Sequence, residues 1–337
     1  MGDHPAEAGT VNARGRRLLV AFLAAGAVAL LAYALQRLGL NPLSLLEAGL
    51  LAMTPLALAA VGECLNEKAG VVNIGLEGIL LISAITGVWA AEIFGNGVAG
   101  LMGGLVTGAV IGLVLGLVSV YGRADQIIAG MGLNIFALGF GPFLLISLWA
   151  FPGIHLFPEE LMVPRLRTPL GGVSPVTIAA VAVAVLAHLL LHRTVLGFRI
   201  LAVGEKPEAV DVAGVRVDRL RLLTSTLGGA LCGAGGAFLP LAWFGGVVKE
   251  ISAGRGFIAL ACVVFAGLEP LLALGAAFLF GFAEGFSYAV AVTPGVKERI
   301  PFYFVSMVPY VTTLVVVALV IGQRRFPRTV GRPYVRE

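Results

Sequence analysis

Charge is scarce in this chain. Asp, Glu, Lys and Arg make up 12% of its 337 residues, whereas a soluble domain carries about 25%. A soluble fold of this length could not cover its surface with so few charges. That excludes a cytosolic enzyme, a nucleic-acid binder and a disordered chain. Cysteine is sparse too: Cys64, Cys232 and Cys262 lie far apart with no CxxC, so they read as small buried hydrophobes. Lysine is confined to Lys68, Lys206, Lys249 and Lys297, none in a GxxxxGK[ST] loop, so the chain has no phosphate-cradling loop of its own. No GxSxG and no paired intramembrane Asp are present. His188 and His192 have i,i+4 spacing, but no third ligand accompanies them in the sequence. Neither a catalytic set nor a metal site is predicted.

What the chain has is apolar sequence. Hydrophobic residues are 58% of the total and the mean hydropathy is +0.97. A membrane-crossing helix takes about 20 apolar residues. Such runs fall at 18–36, 44–63, 74–92, 98–120, 127–150, 174–191, 222–243, 271–290 and 304–322. A tenth run, 255–268, is too short to cross upright and reads as a broken or re-entrant helix. The fold class is therefore an all-α polytopic membrane protein. Its parts are an N-terminal tail over 1–17, a membrane domain over 18–322 and a C-terminal tail over 323–337. The first run also has the look of a signal peptide, with Arg14, Arg16 and Arg17 before it and Ala32-Tyr33-Ala34 near its end. The hydrophobic helix that follows at once favours a retained span.

Lys and Arg set the orientation. With the N-terminus inside, sixteen of them fall on inner segments and seven on outer ones. Both tails are then cytoplasmic, and the basic pI of about 9.1 reflects membrane topology and lipid rather than nucleic acid. Two connections are long: 151–173 outside and 192–221 inside, the latter the most polar stretch of the chain. Long loops inside a compact domain are uncommon without a task.

Glycine supplies the packing signal. Gly100, Gly104, Gly108, Gly112 and Gly116 recur every fourth residue in one span, and Gly229 and Gly233 repeat the spacing in another. In lipid, helices associate through close packing, and small residues permit it. Gly130, Gly132, Gly139 and Gly141 are spaced differently and suggest a loosened or interrupted helix.

Two polar stretches stand out. The first, from Glu63 to Gly78, reads as a charged turn running into a helix that still carries Asn73 and Glu77 on one face. An ionisable group inside a membrane helix suggests function by default. The competing reading has Glu77 near the interface, paired with Lys68 or backbone amides. The second is Gly197 to Val215. Pro207 suits the first turn of a short helix, Glu208 and Asp211 its positive end, and Gly214 its C-terminal cap. Such a helix on the membrane face suits docking of a cytosolic partner better than a plain connector does.

The pairing of "NEKAGVVNIGLEGILLISA" with "GFRILAVGEKPEAVDVAGVRV", joined by "SAGRGFIALA" (252–261) and "FLFGFAEG" (278–285), resembles the permease subunits of ABC importers in the branched-chain amino-acid and simple-sugar superfamily. Within it the sequence is most similar to the group that imports nucleosides. The resemblance covers about residues 44–322. It implies about ten helices in two inverted halves. "VVNIGLEGILL" starts inside and "GRGFIALACVV" outside, as inverted halves require. It implies a bacterial inner-membrane subunit that works with a second permease, related or identical, and with an extracytoplasmic substrate-binding lipoprotein. ATP and Mg²⁺ then belong to a partner ATPase subunit, and this chain holds no cofactor. The family's coupling helix falls on Glu205, Lys206, Pro207, Glu208, Ala209, Asp211, Ala213 and Gly214. The path is expected to be lined by Asn73, Glu77, Gln126, Asn134, Trp243 and Glu284. The chain departs from the pattern at Glu269-Pro270.

The expected function is translocation of a small polar solute, foremost a nucleoside, with simple sugars, riboflavin or branched-chain amino acids as alternatives. A different class, an ion-coupled secondary transporter, would need buried coupling carboxylates such as Glu47 and Glu284. A membrane scaffold would leave the 205–215 helix unexplained.

Overall fold

The computed structural model of the chain describes residues 41–151, 153–168 and 171–293, and beyond them 307, 311, 327–331 and 334. The expected tail 1–17 and the span 18–36 lie outside the described residues, as do the span 304–322 apart from 307 and 311 and most of the tail 323–337.

The described residues hold ten α-helices: α1 (Pro42–Lys68), α2 (Leu76–Phe94), α3 (Gly97–Val120), α4 (Gln126–Trp149), α5 (Pro175–Arg193), α6 (Val195–Glu205), α7 (Pro207–Val212), α8 (Val217–Phe238), α9 (Arg255–Ala266) and α10 (Pro270–Val292). A π-helical turn, Leu239–Phe244, prolongs α8. Seven of these helices are long and apolar enough to cross a membrane. The protein is a polytopic all-α membrane protein. α9 is short, at 12 residues, or about 18 Å, little more than half the thickness of a hydrocarbon core. The broken eighth segment is thus present.

Helix α1 is the centre. From Leu51 to Glu67 every residue is buried, as expected of a helix with apolar residues all round. α10 and α8 pack along it, and α2 and α3 extend the bundle on the far side of α8. The α3–α8 seam is the tightest. A Cβ on Gly112 would stand 2.9 Å from the Gly229 Cα, and one on Gly108 2.6 Å from the Gly233 Cα. At Gly100 and Gly116 the nearest atoms are side-chain methyls of Leu241 and Leu222, 2.6 and 2.9 Å from where a Cβ would stand. The close approach lets the Ser225 hydroxyl donate to the Gly112 carbonyl at 2.7 Å. The opposite face of α3, with Met102, Val106, Val110 and Val114, is exposed. That is the lipid-facing pattern.

Two expectations need correction. α1 does not end at residue 63. It runs through Lys68, with Glu63, Asn66 and Glu67 buried; inside the bundle Glu63 accepts from the Asn66 side chain at 3.0 Å and from the Asn73 backbone amide at 2.7 Å. α4 is an unbroken helix from Gln126 to Trp149. None of its glycines breaks it, and one serves contact: Gly130 lets the backbone of Ile74 and Gly75 come within about 3 Å of where a Cβ would stand, while Gly132 and Gly139 face open space.

The two long connections lie at opposite ends. At one end, strand β1 (His155–Leu156) pairs antiparallel with β4 (Gly246–Val247), and β2 (Leu166–Thr168) with β3 (Gly171–Val173). At the other end, α6 and α7 cross the bundle, and Thr329 of the C-terminal segment donates to the Gly204 carbonyl at 2.7 Å.

Candidate functional site

Two helix N-termini meet inside the bundle. α1 is followed by the buried turn 69–75, from which α2 starts. α8 and its π-helical turn are followed by residues 248–254, from which α9 starts. The chain enters from opposite ends in the two cases. The starts touch: a Cβ on Gly256 would fall on the backbone of Glu77. Glycine is required there for contact.

Glu77 joins the two halves. Its Oε1 accepts from the Gly254 amide at 2.7 Å, and its Oε2 from the Gly256 amide at 2.7 Å. Free amides at a helix start carry partial positive charge, so a carboxylate is stabilised there. Of the two sequence readings, backbone amides are the partner, and they come from the far half of the chain. Lys68 pairs instead with Glu269 at 2.8 Å.

The other expected path residues gather round this crossing. Asn73 is not on a helix face with Glu77, because it precedes α2. Its Oδ1 accepts from the Gly75 amide at 2.8 Å, and its own amide donates to Glu63 Oε1 at 2.7 Å. Gln126, at the start of α4, accepts from the Val72 amide at 2.7 Å. Asn134 accepts from the Gly78 amide and donates to the Ile74 carbonyl, both at 2.9 Å. These side chains satisfy a backbone that no helix or sheet satisfies, as buried irregular structure demands. On the other half, Arg255 is buried and ion-paired with Glu284. Its guanidinium lies 5.0 Å from the centre of the Trp243 ring and 5.3 Å from that of Phe244, within cation–π range.

A cavity of about 240 Å³ opens beside the crossing. Its wall includes Glu77, Met131, Asn134, Leu138, Gly254 and Phe257. Glu77 and Asn134 thus reach it, whereas Asn73, Gln126, Trp243 and Glu284 support the backbone and side chains behind. Of the carboxylates considered for ion coupling, Glu284 is paired with Arg255, and Glu47 lies 3.4 Å from Arg165. Glu63 and Arg255 were not singled out from the sequence. Their signal, a charge inside an apolar run, was present at both positions.

α7 is built as expected. Pro207 occupies its first turn and Glu208 follows. Gly214, with φ +83°, ends it. Pro207 and Val210 are buried against the bundle, while Glu205, Lys206, Glu208, Ala209 and Ala213 face out. Val212 is 91% exposed, and Asp211 accepts from the Tyr334 hydroxyl at 3.1 Å. An apolar tip within a ring of charge suits protein contact.

Residues 45–322 match the family described as branched-chain amino acid transport system / permease component. The nucleoside ABC transporter permease protein NupC of Lactococcus lactis is 33% identical, over 88% of this chain and 98% of its own. The guanosine ABC transporter permease protein NupQ of Bacillus subtilis is 32% identical, over 87% and 96%. A putative glucose ABC transporter permease protein, TsgC13 of Haloferax volcanii, is 33% identical, over 81% and 90%. No solved structure matches.

Proposed function

The chain belongs to the branched-chain amino acid transport system permease family, and from that premise we propose that this ABC importer permease carries a nucleoside. An extracytoplasmic binding protein delivers the solute at the end formed by β1–β4 and residues 151–173. A cytosolic ATPase docks on α7 and supplies the ATP and Mg²⁺ chemistry. Both tails then lie in the cytoplasm of a bacterial inner membrane. ATPase closure presses α7 and rocks the bundle about the Glu77 crossing. A second permease faces the exposed side of α4, where Ile127, Ile128, Ile135 and Phe136 are uncovered.

One observation carries the solute reading. Among the described residues, the charges nearest the cavity are balanced within the protein: Glu77 by the start of α9, and Arg255 by Glu284. A neutral solute that hydrogen-bonds fits such a site, and a phosphorylated one would meet Glu77, beside which no free cation stands among the described residues. The relatives named for nucleosides and guanosine point the same way, and simple sugars are the nearest rival.

The experiment is uptake of a labelled nucleoside by cells that depend on this permease. Unlabelled nucleosides are expected to compete, and nucleoside monophosphates and simple sugars are not. Asn134→Ala removes two backbone partners, each worth about 1 kcal/mol, and should cut uptake by up to about thirtyfold with protein level unchanged. Competition by monophosphates as strong as by nucleosides would end the neutral-solute reading. Unchanged uptake in Asn134→Ala would move the path away from this cavity.

A further inference from the structure

Glu269 lies beside the two histidines that the sequence left without a third ligand. His192 Nε2 is 3.5 Å from Glu269 Oε2, and His188 Nδ1 is 3.7 Å from the same oxygen. We propose that His188, His192 and Glu269 form a binding site for a divalent transition metal of the zinc class. One donor atom from each lies within 4.8 Å of the others.

The tautomer supports it. His192 Nδ1 is 3.0 Å from the His188 carbonyl oxygen. A carbonyl only accepts, so Nδ1 holds the proton and Nε2 turns a lone pair toward the carboxylate. With the ring neutral, two electron-rich atoms face one another across 3.5 Å, and either a metal ion or a second ring proton between them relieves the repulsion. A hydrogen bond from the far ring nitrogen to a backbone carbonyl is also what orients metal-bound histidines. His188 Nδ1 is buried without a hydrogen-bond partner and points at the same oxygen. The rings lie 4.4 Å apart, close enough to share an ion. Two imidazoles, one carboxylate oxygen and a water make a four-coordinate set that zinc accepts. Both histidines keep about a third of their side-chain surface exposed, so water can enter.

Lys68 bonds the other oxygen, Oε1. Its ammonium leaves Oε2 free but opposes a second cation nearby. The site therefore binds more weakly than its donors alone would. Occupied, it ties the end of α5 to the α9–α10 turn, just before the chain enters α6 and α7. The proposal does not depend on the solute.

The test uses tag-free, full-length permease in nanodiscs, stripped with a chelator and titrated with Zn²⁺ or Co²⁺. One saturable equivalent per chain is expected, with the visible absorption of four-coordinate Co²⁺. Glu269→Gln and the double variant His188→Ala/His192→Ala should lose it while keeping the metal-free thermal transition. Lys68→Met should bind several-fold more tightly, a gain that misfolding cannot mimic. No saturable binding at micromolar Zn²⁺, or full Co²⁺ binding by the double histidine variant, would overturn the proposal.

Discussion

Gly108→Val should abolish accumulation of folded permease, while Gly275→Val in α10 leaves it unchanged. Both glycines sit in apolar transmembrane helices, and composition alone does not separate them. Their surroundings do. A Cβ on Gly108 would stand 2.6 Å from the Gly233 Cα and 2.8 Å from the Gly233 amide nitrogen. Those are backbone atoms and cannot turn aside. α3 would have to move off α8, loosening the contacts along the whole stripe from Gly100 to Gly116. Overpacking a tight core costs about 1–3 kcal/mol, and here at least the upper part of that range applies because the whole seam shifts. Lipid gives no solvent drive to restore the seam. Gly275 has nothing within 4 Å among the described residues. The measurement is the monodisperse peak of each variant in detergent and its thermal midpoint. A Gly108→Val peak equal to wild type would show that the seam is looser than described.

Breaking the Arg255–Glu284 pair is the second large effect. The arginine side chain is 8% exposed and the glutamate 18%. Glu284→Leu leaves a buried guanidinium whose carboxylate has gone, with Trp243 and Phe244 as its nearest rings. Removing one partner of a buried pair costs about 3–5 kcal/mol. The double variant Arg255→Met/Glu284→Leu removes both charges and should recover most of that stability, since a well-packed apolar replacement is often neutral. Transport should not recover, because Arg255 opens α9 and braces Trp243. A double variant no more stable than Glu284→Leu would mean that the two residues do not act as a pair.

The spans were legible because a helix in lipid must be apolar for about 20 residues, whatever surrounds it. The glycine ladder was legible because its period is that of a helix face. α7 was legible because Pro207 and Gly214 act locally at its two ends. The end of α1 and the turn 69–75 were not, because backbone groups there and at the start of α2 are satisfied from across the bundle. Asn134 serves Ile74 and Gly78, Gln126 serves Val72, and Glu77 serves Gly254 and Gly256. Hydropathy therefore placed the end of α1 early, at the first polar residue. The same limit hid the pairing of Glu269 with Lys68 and the two histidines, which sit on three separate elements. The glycines of α4 misled for a related reason: close approach and helix breaking use the same residue, and only the neighbour tells them apart.

The most direct test of the account is solute-stimulated ATP hydrolysis by the purified transporter. The permease is isolated from its host's membranes with the ATPase that accompanies it, and hydrolysis is measured with and without nucleoside and binding protein. Wild type should retain the ATPase and respond to nucleoside. Charge reversal at Glu205 and Glu208, which face outward beside Val212 on the α7 surface, should release the ATPase and leave the permease folded. A permease that purifies alone, moves solute without ATP and follows a proton or sodium gradient would contradict the account.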